Sequence, residues 1–143
     1  MKLTKQIEQE MIRQAQEGVK NAFTGTNKPD DFRIGAAVLT DKGNIYASGQ
    51  YASDTHSLTL HSEQAALAHA AAHGEYNIEA VVVTWNATAS QGSGSVYPCH
   101  MCKQLLYESY LRSGINTQII LVDETGKILE RLELKQMINY PWP

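Results

Sequence analysis

Two short segments, His61-Ser62-Glu63 and Pro98-Cys99-His100-Met101-Cys102, constrain this chain more than anything else in it. One imidazole and two thiolates make a tight divalent-metal set, and three protein ligands leave a tetrahedral ion one position for water. If His61, Cys99 and Cys102 are those ligands, the fold must carry two distant stretches of chain to one point. Glu63 stands two residues after His61, close enough to move protons on and off a water held in the fourth position. An open metal site beside a general base is an arrangement for hydrolysis.

The same residues admit plainer readings. A C-x-x-C pair also serves as a redox dithiol or as half of a structural zinc site. Cys99 and Cys102 are the only cysteines, and Pro98-Cys99 reads as a loop entering a helix, which weakens the redox reading. A structural site needs a fourth ligand, for which His100, His69, His73 or His56 could be proposed. His69 and His73 are four apart on an Ala-rich helix, a spacing that suits either a metal pair or a partly exposed face. His100 lies between the two cysteines and is expected to point away from a metal that both bind.

The pattern H-x-E…P-C-x-x-C is a signature of zinc-dependent nucleobase deaminases, so the motif points to replacement of an amino group by oxygen. Bulk composition narrows the substrate. The chain has 143 residues, 43% hydrophobic and 19% charged, as expected of one soluble globular domain spanning 1–143. Its net charge is −3, and its 12 Lys and Arg residues are scattered rather than clustered. That argues against tracking a nucleic-acid backbone and for a small-molecule substrate. No apolar stretch approaches the ~20 residues of a membrane span, and the start lacks the apolar core of a secretory signal. Two cysteines kept as thiolate ligands fit a reducing cytoplasm.

Periodicity gives the order of elements. Thr4 is positioned to cap a first helix carrying Ile7, Met11, Ile12, Ala15 and Val19, which Gly25 to Pro29 ends. Phe32 to Leu39 reads as a strand, Asp41-Lys42-Gly43-Asn44 as a hairpin turn and Ile45 to Gly49 as the returning strand. After a loop to Leu60, Ser62 to His73 forms a helix capped by Gly74. Ala80 to Trp85 is an apolar run typical of a central strand, and Asn86 to Tyr97 a polar loop that either shapes a pocket or merely connects. A helix from Cys99 to about Leu111 carries both cysteines in its first turn, where the helix dipole favours thiolates. Gln118 to Val122 and Ile128 to Leu134, joined by Glu124-Thr125-Gly126-Lys127, must pair antiparallel because so few residues connect them. The expected fold is α/β: a three-layer α-β-α sandwich around a five-stranded mixed sheet, its last two strands antiparallel. Two helix N-termini facing each other would then hold the metal.

These motifs, with Phe32-Arg33-Ile34-Gly35-Ala36-Ala37 and the end from Met137 to Trp142, resemble the cytidine deaminase family, particularly its small homotetrameric free-nucleoside branch. The final hairpin suits that branch, since nucleotide- and RNA-acting relatives usually place a helix between the last two strands. The resemblance implies one zinc ion per subunit and a homo-oligomer, dimer or tetramer. It implies that Glu63 takes a proton from the attacking water, passes one to the ring nitrogen and protonates the departing amine. It also implies that the Ser62 N–H holds the substrate's ring carbonyl and that Phe32 lines the base pocket. Trp142 falls where the family puts an aromatic residue that reaches a neighbouring subunit's pocket, although a docked tail residue is an equal reading.

Two departures bear on this. The branch usually has cysteine as first ligand and arginine just after the glutamate, where this chain has His61 and Gln64. Three thiolates leave one surplus negative charge for an arginine to offset, and a neutral imidazole removes both the surplus and the need. The branch's ribose-gripping Asn-x-Glu lands on Gln50-Tyr51-Ala52, and Ala52 cannot accept a hydrogen bond from a sugar hydroxyl. Ordinary cytidine or deoxycytidine should therefore be a weakened substrate unless Gln50, Asp54 or His56 substitutes. Modified nucleosides, a free aminopyrimidine or a nucleoside antibiotic are admissible. An RNA or single-stranded DNA deaminase and a non-catalytic zinc domain remain the competing readings.

Overall fold

The computed structural model describes residues 3–86 and 96–143. Its elements are α1 (Lys5–Asn21), β1 (Ile34–Thr40), β2 (Ile45–Gly49), α2 (Ser62–Ala72), β3 (Ile78–Trp85), α3 (His100–Ser113), β4 (Gln118–Val122), β5 (Ile128–Glu133) and a 3-10 turn at Leu134–Met137. One five-stranded sheet runs in the order β2-β1-β3-β4-β5. β3 and β4 are parallel, joined through α3, while β1 pairs antiparallel with both β2 and β3. β4 and β5 are antiparallel, as their short connection requires.

Alternation along the central strands builds the three layers. Ala36, Val38, Val81, Val83, Ile119 and Leu121 share one buried cluster with Ala66 and Ala70 of α2 and Leu106 of α3. Their neighbours Ala37, Leu39, Ala80, Val82, Ile120 and Val122 turn the other way, onto Met11 and Ala15 of α1. Both faces of β3 and β4 are therefore covered, which explains why those strands read as unbroken apolar runs. Burying each Leu, Ile or Val side chain this fully contributes about 1.5–3 kcal/mol.

Local chemistry sets the ends. Thr4 caps α1, its Oγ1 accepting from the Ile7 N–H at 3.2 Å. Small residues let α1 lie against the sheet: a Cβ on Gly35 would stand 2.0 Å from the Ala15 carbonyl oxygen. β1 begins at Ile34, not at Phe32, because side-chain amides hold the two preceding residues. The Phe32 carbonyl accepts from Gln50 Nε2 and the Arg33 N–H donates to Asn86 Oδ1, both at 2.8 Å. β5 stops at Glu133, where Gln136 Oε1 accepts from the Glu133 N–H at 2.7 Å and the 3-10 turn begins. Most of the loop expected from Asn86 to Tyr97 lies outside the described residues.

Candidate active site

α2 and α3 pack on the same face of the sheet, and the residue that opens each is a metal-type donor. His61 is the N-cap of α2, and Cys99 is the N-cap of α3. Cys102 follows in the first turn of α3 and is fully buried. His61 Nδ1 lies 3.2 Å from Cys99 Sγ and 3.4 Å from Cys102 Sγ, and the two sulfurs are 3.5 Å apart. A tetrahedral zinc site, with Zn–S of about 2.3 Å and Zn–N of about 2.0 Å, has donor–donor edges of about 3.5–3.8 Å. The observed triangle is only slightly smaller, so the three donors fit zinc.

Charge gives a second test of fit. Burial pushes the Cys102 thiol well up, and the nearby Glu63 carboxylate and Cys99 add to it. A thiolate at that depth needs a cation beside it. Among the described residues His61, Cys99 and Cys102 form the one cluster of His, Cys, Asp and Glu donors close enough to share an ion. Neither His100, His69, His73, His56 nor Glu63 belongs to that cluster. His69 and His73 are exposed, and their Nδ1 atoms contact the carbonyls of Ala47 and His69 at 3.1 and 3.0 Å. The fourth ligand that a closed structural site requires is thus missing among the described residues, and the third donor makes a bare dithiol a poor description.

Glu63 is buried at 5% exposure, and its Oε1 accepts from Ser62 Oγ at 2.7 Å. Both residues line a cavity of about 260 Å³ together with Ile34, Gln50, Thr59, His61, Val96, Tyr97 and Cys99. The structure therefore brings together Glu63, Ser62, His61, Cys99 and Gln50 of the residues singled out from sequence. Cys102 sits behind them, against His61 and Cys99.

Other expected residues lie apart. Phe32, Ala52, Asp54 and His56 are not among the described residues lining this cavity. Phe32 contributes its carbonyl, which anchors Gln50. The Ala52 N–H donates to the Phe23 carbonyl at 2.9 Å. Trp142 is 78% exposed, its carbonyl accepting from Gln104 Nε2 at 2.9 Å, so the tail is strapped along α3. Sequence reasoning passed over Ile34, Thr59, Val96 and Tyr97 as lining residues. Ile34 stood in a motif already singled out, and Val96 and Tyr97 end the loop suspected of shaping a pocket. The Tyr97 hydroxyl donates to Glu130 Oε2 of β5 at 2.5 Å, a pairing no local pattern signals.

Residues 5–117 match the family model described as "Cytidine and deoxycytidylate deaminase zinc-binding region". The chain is 30% identical over 101 residues to a cytidine deaminase of Photorhabdus laumondii, covering 69% of this chain and 30% of that protein. It is 33% identical over 92 residues to one from Salmonella schwarzengrund, covering 63% of this chain and 27% of that protein. It thus spans under a third of the length of these curated relatives. The fold resembles cytidine deaminase from Burkholderia pseudomallei, with a TM-score of 0.77, 20% identity and coverage of 98% of this chain and 100% of that one. Cytidine deaminase from Mycobacterium tuberculosis gives a TM-score of 0.70 at 21% identity, covering 94% and 95%. A family match over that length, on a fold that gathers the zinc-type donors at two helix starts, places this chain in the cytidine and deoxycytidylate deaminase zinc-binding family.

Proposed function

We propose that residues 1–143 form one zinc-dependent hydrolytic deaminase unit acting on a cytidine-like nucleoside or related aminopyrimidine. The observation that carries this is a buried carboxylate, Glu63, in the same cavity as His61 and Cys99, with Cys102 completing the donor triangle. When bound, zinc supplies a water whose pKa falls towards ~7, a nucleophile available at neutral pH.

The protein's own groups do the rest. Glu63 accepts a proton from the attacking water and delivers it to the ring nitrogen next to the reacting carbon. The water oxygen bonds to that carbon, the remaining hydroxyl proton goes by way of Glu63 to the departing amine, and the C–N bond breaks. One water is consumed, one ammonia leaves, and the amidine becomes a ring amide. Ser62 Oγ, donating to Glu63, orients the carboxylate, while the Ser62 N–H at the start of α2 would hold the ring carbonyl. Burial of Glu63 keeps bulk water away from its carboxylate.

We further read the enzyme as a cytoplasmic homo-oligomer, dimer or tetramer. Its exposed Phe23, Tyr51, Leu58 and Leu60 and the projecting Trp142 are the apolar surface such contacts would use. Light scattering that gives a monomer at micromolar concentration would remove this part. Nothing favours a nucleic-acid substrate: the described cavity lining holds no Lys or Arg, and net charge is −3.

Glu63→Gln is the direct test of the chemistry. It should abolish ammonia release while zinc stays bound. Unchanged turnover removes Glu63 from the mechanism, and the loss of zinc together with activity would make it a structural residue.

A further inference from the structure

We propose, resting on the deaminase reading above, that the Tyr97 ring is the face on which this site seats the base of its substrate. Glu130 of β5 is then the positioning residue that holds the ring in place.

Tyr97 is tied at both ends. On its main-chain side comes Pro98, which is buried and whose ring locks its own φ. Next is Cys99, the N-cap of α3, whose carbonyl accepts from the Lys103 N–H at 2.9 Å. At the far end the Tyr97 hydroxyl donates to Glu130 Oε2 at 2.5 Å. Glu130 stands on backbone that is itself held, since it pairs with Leu121 across the β4–β5 ladder. Arg131, turned to the opposite face of β5, binds Glu8 of α1 through both terminal guanidinium nitrogens. Leu132, on the same face as Glu130, packs against the core under α2 and α3. A ring clamped in this way has little freedom left to lose when a ligand arrives.

Position decides what the ring meets. Tyr97 and Cys99 both line the cavity of about 260 Å³ that holds Glu63. Two residues of extended chain span at most about 7 Å, so the ring is anchored beside the metal position. In the proposed reaction the carbon bearing the amine sits there, and the part of the substrate within reach of the ring is its base. Tyr97 is half exposed although it forms part of the cavity wall, which leaves aromatic surface for a flat base to cover. Stacking of a base on an aromatic side chain changes affinity by about 5–150-fold on alanine substitution. The bond to Glu130 would by itself only staple the start of α3 to the sheet, and the experiment separates that structural role from a substrate contact.

Calorimetry measures cytosine and cytidine binding to Glu63→Gln, alone and combined with Tyr97→Ala, Tyr97→Leu, Tyr97→Phe, Glu130→Ala, or Tyr97→Phe with Glu130→Ala. Zinc content, and KM and kcat for ammonia release, are measured in the same variants with Glu63 intact. Tyr97→Ala should weaken both ligands by about 5–150-fold, and Tyr97→Leu, which keeps bulk without a π face, by at least ~5-fold. Zinc should stay bound, and the loss should fall on KM rather than on kcat. Tyr97→Phe keeps the ring and loses only its clamp, so it should cost about 2–10-fold. Glu130→Ala should match it, and the double variant should be no worse than either, because both cut the same bond. Affinity unchanged in Tyr97→Ala and Tyr97→Leu overturns the ring contact, as does Tyr97→Phe binding as poorly as Tyr97→Ala. Losses from Tyr97→Phe and Glu130→Ala that add in the double variant overturn the role of Glu130. Binding that depends on Tyr97, with no ammonia released by the protein with Glu63 intact, sinks the deaminase reading and leaves the ring contact standing. Absence of binding by both compounds overturns both.

Discussion

The backbone N–H of His61 donates to the side-chain Oε1 of Gln64 at 2.8 Å. The glutamine three residues on thus closes the first turn of α2 back onto the residue that carries the imidazole. At the position where the resemblance implies an arginine, Gln64 instead fixes the backbone of His61, a candidate metal donor.

Gln64→Ala should weaken zinc binding by about 10–100-fold, the range for outer groups that orient a ligand. It should cost about 1 kcal/mol of stability, as lost N-terminal caps do. Gln64→Glu keeps the acceptor oxygen and should stay near wild type. Chelator competition measures both variants, and equal affinity for Gln64→Ala and wild type would show that the contact orients nothing.

Zinc removal should lower the melting temperature, because an ion bound only by the folded state stabilises it by about 4 kcal/mol at a thousandfold excess over Kd. In Cys102→Ser the difference between zinc-loaded and chelated protein should shrink or vanish. Calorimetric melting with and without chelator checks this, and an undiminished difference in Cys102→Ser would place the ion elsewhere.

Gly35→Ala should destabilise by about 1–3 kcal/mol or more, since its Cβ meets main chain that has no room to yield. The added carbon would lie 2.0 Å from the Ala15 carbonyl oxygen and 2.7 Å from the Val19 nitrogen. Urea unfolding at equilibrium measures it. A neutral result would mean that α1 can slide off the sheet.

Asp31 ties down the loop ahead of β1, and hydrogen bonds from Thr24, Thr26 and the Lys28 N–H hold its carboxyl down to about 2 from an ordinary 3.8. A carboxyl depressed in the folded state contributes stability above its unfolded value and loses it as pH falls towards the folded one. The melting temperature of wild type should exceed that of Asp31→Asn above about pH 4, and the gap should close between about pH 4 and pH 2. A gap independent of pH across that window would contradict this.

Much of the fold was legible because its signals are local. Thr4, the turn glycines Gly43 and Gly126, and the apolar run of β3 each declare an element over a few residues. The His61, Cys99 and Cys102 cluster was legible for the same reason, as residue types at helix starts. What escaped was decided by side chains acting across the chain. Gln50 and Asn86 shorten β1 by taking over the backbone groups of Phe32 and Arg33, and Gln136 ends β5 by capping Glu133. The cavity wall escaped for the same reason, since the pairing of β5 with β4 is what carries Glu130 to Tyr97.

The proposed chemistry rests on a zinc ion held by one imidazole and two thiolates with a fourth position left to solvent. X-ray absorption at the zinc edge of the purified protein tests it most directly. Two sulfurs at about 2.3 Å, a single imidazole nitrogen near 2.0 Å and one further light-atom ligand are expected. A shell with a second histidine or a third sulfur in the fourth place, or a protein that takes up no zinc, would contradict the account.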